Sequence, residues 1–366
     1  MRFFTTSEDL LIRAMSSKQT QVHLEHCLGS IEDIFKNVFK KERRLLAFLL
    51  SYEASYIKRS LLQLSYDYDV TIEYREVSPA SINDVVVDNG DWDATSVLKE
   101  GVPQELIIIT SECKSVSNKM ESINEMLLSS YEGISGWKTT FFSFEKLSVD
   151  SVCTISYTYI VPQLQLQQFQ GKASFAAKTI WKKILGKSKV PQFVKPFLAF
   201  SYLTQECNYD QKAFDKVEND PTAIPPDPIP HLAYGPLVEN RGICSGLAWA
   251  FKCLMDEANI ECLCVSGFLK EDLKTGHIWN LVKIDGQYYH VDPTWGIKDA
   301  GVFVSRLMQS DNTMKKTHIW SLGKYPAARG IRFDYDYIED YLAENGNAFL
   351  DAGANEIYFF PDLIVE

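Results

Sequence analysis

Long apolar runs are missing from this 366-residue sequence; its strongest clusters, Leu45 to Leu50 and Thr154 to Val161, fall well short of the ~18 residues that a membrane-spanning helix requires. No membrane span is expected. Net positive charge is missing too, because 37 Lys and Arg stand against 48 Asp and Glu, leaving −11 and a pI near 5.2. A nucleic-acid binder must bring cations to phosphates, so this balance argues against a nucleic-acid partner. The opening MRFFTTSEDLLIRAM has neither the apolar core nor the small-residue cleavage site of a secretory leader. A cytoplasmic protein is expected from that.

The eight cysteines, at 27, 113, 153, 207, 244, 253, 262 and 264, lack the density of a secreted disulfide scaffold, which favours reduced thiols. Cys262 and Cys264 lie in a strand-like segment with their thiols on one face, but their spacing is not that of a zinc knuckle or ribbon. They read as core thiols. No loop carries the run of carboxylates found in an EF-hand, so no calcium site is encoded, and no other cofactor is implied.

What is present is 46% hydrophobic residues, enough to bury a sizeable core in a mixed α+β chain. Residues 1–80 and 100–162 read as α/β units that resemble each other loosely, as a weak duplication would. FFTTSEDLLIRAM and IIITSECKSVSNKM each run from an apolar segment through Thr-Ser-Glu into a helix, with Thr5 and Glu8 at capping-box spacing in the first. The units end in alternating strands, Ser65 to Tyr74 and Cys153 to Val161, and a polar connector from Ser78 to Ser96 lies between them. From Gly171 to Pro196 there are seven lysines around a helical apolar stripe of Ala173, Ala177, Ile180, Trp181, Ile184 and Leu185, the pattern of a core helix with a solvated outer face. Five prolines within Asn219 to His231 then exclude any regular element there.

The chemistry begins after this proline-rich loop. In NRGICSGLAWAF, Leu247, Phe251, Leu254, Met255 and Ala258 repeat at helical spacing, which predicts a buried helix from about Ser245 to Asn259 with Cys244 at its first turn. Unpaired N–H groups and the positive end of the helix dipole lie there and favour a thiolate. Further on, GHIWNLVKIDGQYYHVDPTWG holds two alternating runs around Asp285-Gly286, a two-residue hairpin turn. Pairing Ile284 with Gln287 sets Val282 opposite Tyr289, Trp279 opposite Asp292 and His277 opposite Thr294. Ile278, Val282, Ile284, Tyr289 and Val291 then face a core, while His277, Trp279 and Asp292 share the other face, His277 and Asp292 as diagonal neighbours. The hairpin thus builds a histidine–carboxylate pair, and Cys244 supplies a thiol to complete nucleophile, base and orienting acid. His290 reads as a surface or packing histidine; His23, His26, His231 and His318 have no partners that linear spacing supplies.

Three stretches carry a resemblance: AYGPLVENRGICSGLAWAFKCLMDEANI, GHIWNLVKIDGQYYHVDPTWG and FVSRLMQSDNTMKKTHIW resemble the core blocks of the transglutaminase-like cysteine enzyme superfamily, especially its bacterial members. The resemblance implies an α+β papain/transglutaminase-like core over residues 165–325, in which a helix bearing the cysteine packs on an antiparallel sheet bearing histidine and aspartate. Residues 326–366 are then an extension packed on that core. Cys244 is implied as nucleophile, His277 as base and Asp292 as its orienting acid, with His318 structural. Two positions depart from family habit, Leu247 where a tyrosine often follows the glycine and Ile278 where an alanine often follows the histidine; they bear on pocket shape and leave the triad intact.

The expected reaction is attack of the Cys244 thiolate on a peptide or side-chain amide, giving a thioester. The Cys244 N–H and Tyr234 are the candidate oxyanion donors, and Trp279 and Trp295 the candidate walls of the substrate cleft. Val238 stands where a papain-like enzyme has its glutamine. Hydrolysis of a peptide or protein substrate leads, followed by protein-glutamine acyl transfer or deamidation. The alternatives of another class are a non-enzymatic peptide- or protein-binding module on the same fold, and a coenzyme A-dependent acetyltransferase, which the VDPTW block fits less well. The amino-terminal region is a candidate surface for a protein partner.

Overall fold

The computed structural model describes residues 6–60, 65–76, 85–89, 105–113, 116, 131–219, 225–298 and 307–360. They fall into two compact units, one built from residues 1–124 and 136–158 and the other from residues 125–135 and 159–366. Among the described residues, no helix is long and apolar enough to cross a membrane.

The first unit contains α1 (Ser7–Ser16), β1 (Gln21–Leu28), α2 (Ile31–Lys41), β2 (Leu49–Ser60), β3 (Ser65–Tyr74), β4 (Val86–Val87), β5 (Glu105–Thr110), β6 (Ile134–Ser143, but for its first residues) and β7 (Ser151–Tyr159). The capping box of α1 falls one residue later than its spacing suggested, on Thr6 and Asp9, because Thr6 is the last residue with extended backbone before the helix. Strands β1, β3 and β2 form one antiparallel sheet; β4, β5, β7 and β6 form another in that order, with β4 parallel to β5. One core serves residues from both halves, joining Leu11, Phe35, Val70 and Ile72 to Ile107, Ile109 and Val152. Arg43 clasps Asp150 through Nε and Nη2 at 2.7 and 2.8 Å, a two-point pairing across 107 positions of sequence. Most of the 78–96 connector and the helix expected after Cys113 lie outside the described residues.

The second unit opens with α3 (Gln163–Leu185), whose buried stripe of Ala173, Ala177, Ile180, Trp181 and Ile184 matches the expected apolar face. Its Trp181 indole donates to the Leu254 carbonyl at 2.8 Å, so the helix is pinned by a satisfied buried polar group as well as by packing. Then come α4 (Lys195–Glu206), β8 (Asn208–Tyr209), α5 (Gln211–Asn219), β9 (Arg241–Gly242) and α6 (Cys244–Glu257). After them run β10 (Cys262–Leu269), β11 (Asp272–Ile284), β12 (Gln287–Val291), α7 (Pro293–Lys298), α8 (Asp311–Met314), β13 (His318–Ile319), α9 (Tyr335–Asp351) and α10 (Glu356–Phe359). The four-stranded sheet has the order β12-β11-β10-β13, antiparallel throughout.

Helix α6 is apolar nearly all round, with Leu247, Ala248, Ala250, Phe251, Leu254 and Met255 buried, as befits a helix covered on every side. Its core includes Cys262, Cys264, Val282, Ile284, Tyr289 and Val291 from the sheet, so one sheet face meets the helices. The other face carries a smaller cluster of Val265, Trp279, Leu281, Met314 and Ala328. Of the expected carboxy-terminal extension, Phe333, Tyr335, Ile338, Leu342, Tyr358 and Phe359 are part of the main core, and 361–366 lie outside the described residues.

The hairpin takes the expected register, with Ile284 opposite Gln287 and Val282 opposite Tyr289. Asp285 at φ +47° and Gly286 at φ +78° both adopt positive φ, the backbone of a type I′ turn, which matches the twist of the flanking strands. The pairing stops sooner than expected. Strand β12 ends at Val291, and Pro293, with no N–H for a ladder, starts α7, so His277 and Thr294 never become strand partners.

Candidate active site

Cys244 is the first residue of α6, preceded by Ile243 in extended conformation with no side-chain cap. The first-turn N–H groups therefore have no capping acceptor from that residue. Two devices hold the loop that delivers the cysteine. Arg241 binds Asp210 and Asp227 through Nη1 at 2.9 and 2.8 Å and Glu239 through Nη2 at 3.0 Å, while β9 pairs in parallel with β8. Gly246 has no room for a side chain: a Cβ there would sit 2.3 Å from the Pro230 carbonyl oxygen, so the proline-rich segment crosses directly against the start of the helix. Cys244 itself is 8% exposed.

His277 lies on β11 and Asp292 immediately after β12. His277 Nε2 and Asp292 Oδ2 are 2.7 Å apart, and both side chains are buried. Cys244 acts on the same imidazole and favours its charged form, and with Nε2 committed to Asp292, Nδ1 is the ring nitrogen left over. Burial works against charge on this imidazole, yet the Asp292 carboxylate beside it, with the Cys244 contact, outweighs that and raises its pKa to about 10. Burial opposes charge on Asp292 as well; His277 and then His318 overcome it and hold the carboxyl well below the usual range. The arrangement favours an imidazolium–carboxylate pair within reach of a thiol.

Asp292 has more partners than the hairpin supplies. His318 Nε2 lies 3.1 Å from the same Oδ2, and the Thr294 N–H donates to Oδ1 at 3.1 Å. His318 arrives through β13, where it pairs with Leu269 at the edge of β10. Nothing in local spacing signals this, since 26 positions separate it from Asp292. Among the described residues, His277, Asp292 and His318 are also a grouping whose donor atoms lie within 4.8 Å of one another. Separations of 2.7 and 3.1 Å to one shared oxygen are those of N–H···O bonds.

Trp279, expected as a cleft wall, has no exposed surface. Its ring stacks on His277 at 5.8 Å and 20° and meets His318 and Trp320 edge-on, so it backs the site as packing. Gly267, opposite His277 in the ladder, leaves space for that ring, since a Cβ would come within 2.8 Å of it. The Trp279 N–H donates to His290 Nδ1 at 2.9 Å, and His290 Nε2 reaches Asp311 Oδ1 at 2.9 Å. His290 is thus a buried packing histidine, its pKa pushed down to about 4 by burial although Asp311 pulls the other way. Trp295, on α7, is half-buried. Tyr234 is half-buried against Phe169, its ring 4.8 Å away, with the Lys172 ammonium over its face. Cys262 and Cys264 face Asn280, whose Nδ2 donates to the Ala248 carbonyl at 3.0 Å and ties β11 to α6.

Residues 181–293, which include Cys244, His277 and Asp292, match the model of the transglutaminase-like superfamily. The chain therefore carries a transglutaminase-like domain, and that superfamily supports a thiol enzyme. A comparison with curated proteins finds no match. Among solved structures, one described as a TGase aligns over 58% of this chain and 56% of its own, at 12% identity and a TM-score of 0.29. A putative cysteine protease from Cytophaga hutchinsonii aligns over 46% of this chain and 69% of its own, at 14% identity and a TM-score of 0.27. The chain thus spans little more than half of the first of these proteins.

Proposed function

We propose that the protein cleaves a peptide or side-chain amide through a thioester on Cys244, with His277 as the acid–base group and Asp292 as the carboxylate that orients and charges it. The observation that carries this reading is the buried 2.7 Å bond between His277 and Asp292, on an imidazole whose charged form Cys244 also favours. The thiolate adds to the amide carbonyl, and the developing oxyanion takes a hydrogen bond from the Cys244 N–H at the open end of α6. Collapse of the tetrahedral species breaks the C–N bond as the His277 imidazolium passes its proton to the leaving amine or ammonia. Water, deprotonated by the now neutral imidazole, then attacks the thioester, releasing the acid and restoring thiolate and imidazolium. Hydrolysis is favoured over acyl transfer because water needs no second binding site, whereas an amine acceptor does. Asp292 stays ionised throughout; its task is to fix the ring orientation and stabilise its positive form.

The test is release of ammonia or amine from a mixed peptide library by the wild type and by Cys244→Ala at matched concentration, with retention of peptides measured in parallel. Turnover by the wild type and none by the variant is the expected result. A wild type that releases nothing, while both proteins retain the same peptides equally, overturns the enzyme reading in favour of a binding module. Adding a primary amine to the assay separates the two reactions: an amide adduct in place of the free acid marks acyl transfer.

A further inference from the structure

Asp292 Oδ2 is the meeting point of two imidazoles, and only one of them faces the thiol. His277 donates from one side at 2.7 Å and His318 from the other at 3.1 Å, with the Thr294 N–H on Oδ1. A carboxylate can only accept, so His318 carries its proton on Nε2. The Thr317 hydroxyl lies 2.8 Å from Nδ1, and the same oxygen approaches the Met314 carbonyl at 3.4 Å. His318 is 1% exposed and Asp292 fully buried, so these bonds are shielded from bulk solvent. With three donors disposed around its two oxygens, the carboxylate group is restrained from turning about its own axis.

We infer that His318 is a positioning residue, whose N–H holds the Asp292 carboxylate in the rotation at which that carboxylate aligns and charges the His277 imidazole. This rests on the triad reading given above. A satisfied core histidine and a positioning histidine look alike in burial. They differ in what their loss does. Removing a mere packing group lowers stability and leaves the thiol–imidazole pair unchanged, whereas removing a positioning group lets the carboxylate rotate, weakens the imidazolium and so depletes the thiolate near neutral pH.

The ionisable groups that face this cluster are His277 on β11, Cys244 on α6, His290 on β12, and Asp311 and Lys315 around α8. Burial holds the His290 pKa down, Asp311 pairs with it, and His318 adds a smaller electrostatic effect in the same direction as burial.

The experiment is the pH profile of Cys244 alkylation by iodoacetamide, read by peptide mass spectrometry for wild type, His318→Phe and His318→Gln, with melting temperature measured alongside. In His318→Phe the acid-side inflection should move up by about one pH unit, so that labelling at pH values below the wild-type inflection slows about tenfold. His318→Gln, whose amide nitrogen can reach the same Asp292 oxygen, should stay near wild type. A profile unchanged in His318→Phe, or shifted as far in His318→Gln, overturns the inference whatever happens to stability. Should His318→Phe fail to fold, Thr317→Val removes the hydroxyl that supports Nδ1 and should move the inflection in the same direction by less; no movement there overturns the inference too. Failure of the triad reading looks different: the wild type itself then shows one inflection at an ordinary thiol value of about 8.5, and His277→Phe leaves it in place.

Discussion

The Trp279 indole N–H donates to His290 Nδ1 at 2.9 Å, and both side chains are fully buried. That bond sets the tautomer of His290, whose Nε2–H then serves Asp311. Trp279→Phe keeps an aromatic ring against His277 but leaves His290 Nδ1 without a donor. An orphaned buried acceptor costs about 1–3 kcal/mol, and the lost ring volume adds to it. Urea unfolding of the variant should show a lower midpoint at an unchanged slope. An unchanged midpoint would mean that the bond contributes nothing net.

Two histidines should pull stability in opposite directions as pH changes. His277 has a raised folded pKa, so its contribution is complete below the unfolded value of about 6.5 and is lost as pH rises through about 10. His290 has a lowered one, to about 4, so its neutral burial is an advantage above the unfolded value that is lost as pH falls from about 6.5 toward 4. Denaturation measured from pH 4 to 10 should therefore show His277→Phe with a shallower alkaline decline than wild type, and His290→Phe with a shallower acidic one. Parallel curves for all three proteins would count against both assignments.

Cys244 should be the most readily alkylated of the eight cysteines near neutral pH. Burial pushes Cys153, Cys207, Cys253 and Cys262 up to about 12, Cys264 well above its ordinary value, and Cys27 upward as well. Cys113, partly exposed, is the remaining competitor. Brief iodoacetamide treatment followed by peptide mapping checks this, and first labelling at Cys262 or Cys264 would move the reactive centre to the β10 strand.

Asp292→Asn should fold, because the amide is nearly the same size and can still accept from His277. It removes the charge that sustains the imidazolium, and with the amide oxygen kept at the Oδ2 position it replaces the acceptor of the Thr294 N–H by an NH2 group. Turnover should drop on the order of a thousandfold, by analogy with the same change in serine triads. Circular dichroism at matched temperature separates loss of fold from loss of rate. A variant within a few-fold of wild type in turnover would remove Asp292 from the mechanism.

Much of this geometry follows from short-range pattern alone. The alternation around Asp285-Gly286, with a turn that demands positive φ at both positions, was sufficient to give the strand register and to put His277 and Asp292 on one face, since a one-residue slip would turn every apolar side chain outward. The helical repeat after Cys244 likewise placed the thiol at a helix start. What the tertiary structure decided has no local period. His318 reaches Asp292 only because β13 joins the edge of β10, and Asp311 reaches His290 across 21 positions. Trp279 is packing rather than cleft because His277, His318 and Trp320 close around it. Periodicity reports which face of an element is covered; which distant segment covers it, and which of its polar groups meets a buried charge, depends on long-range pairings that the linear spacing of residues does not encode.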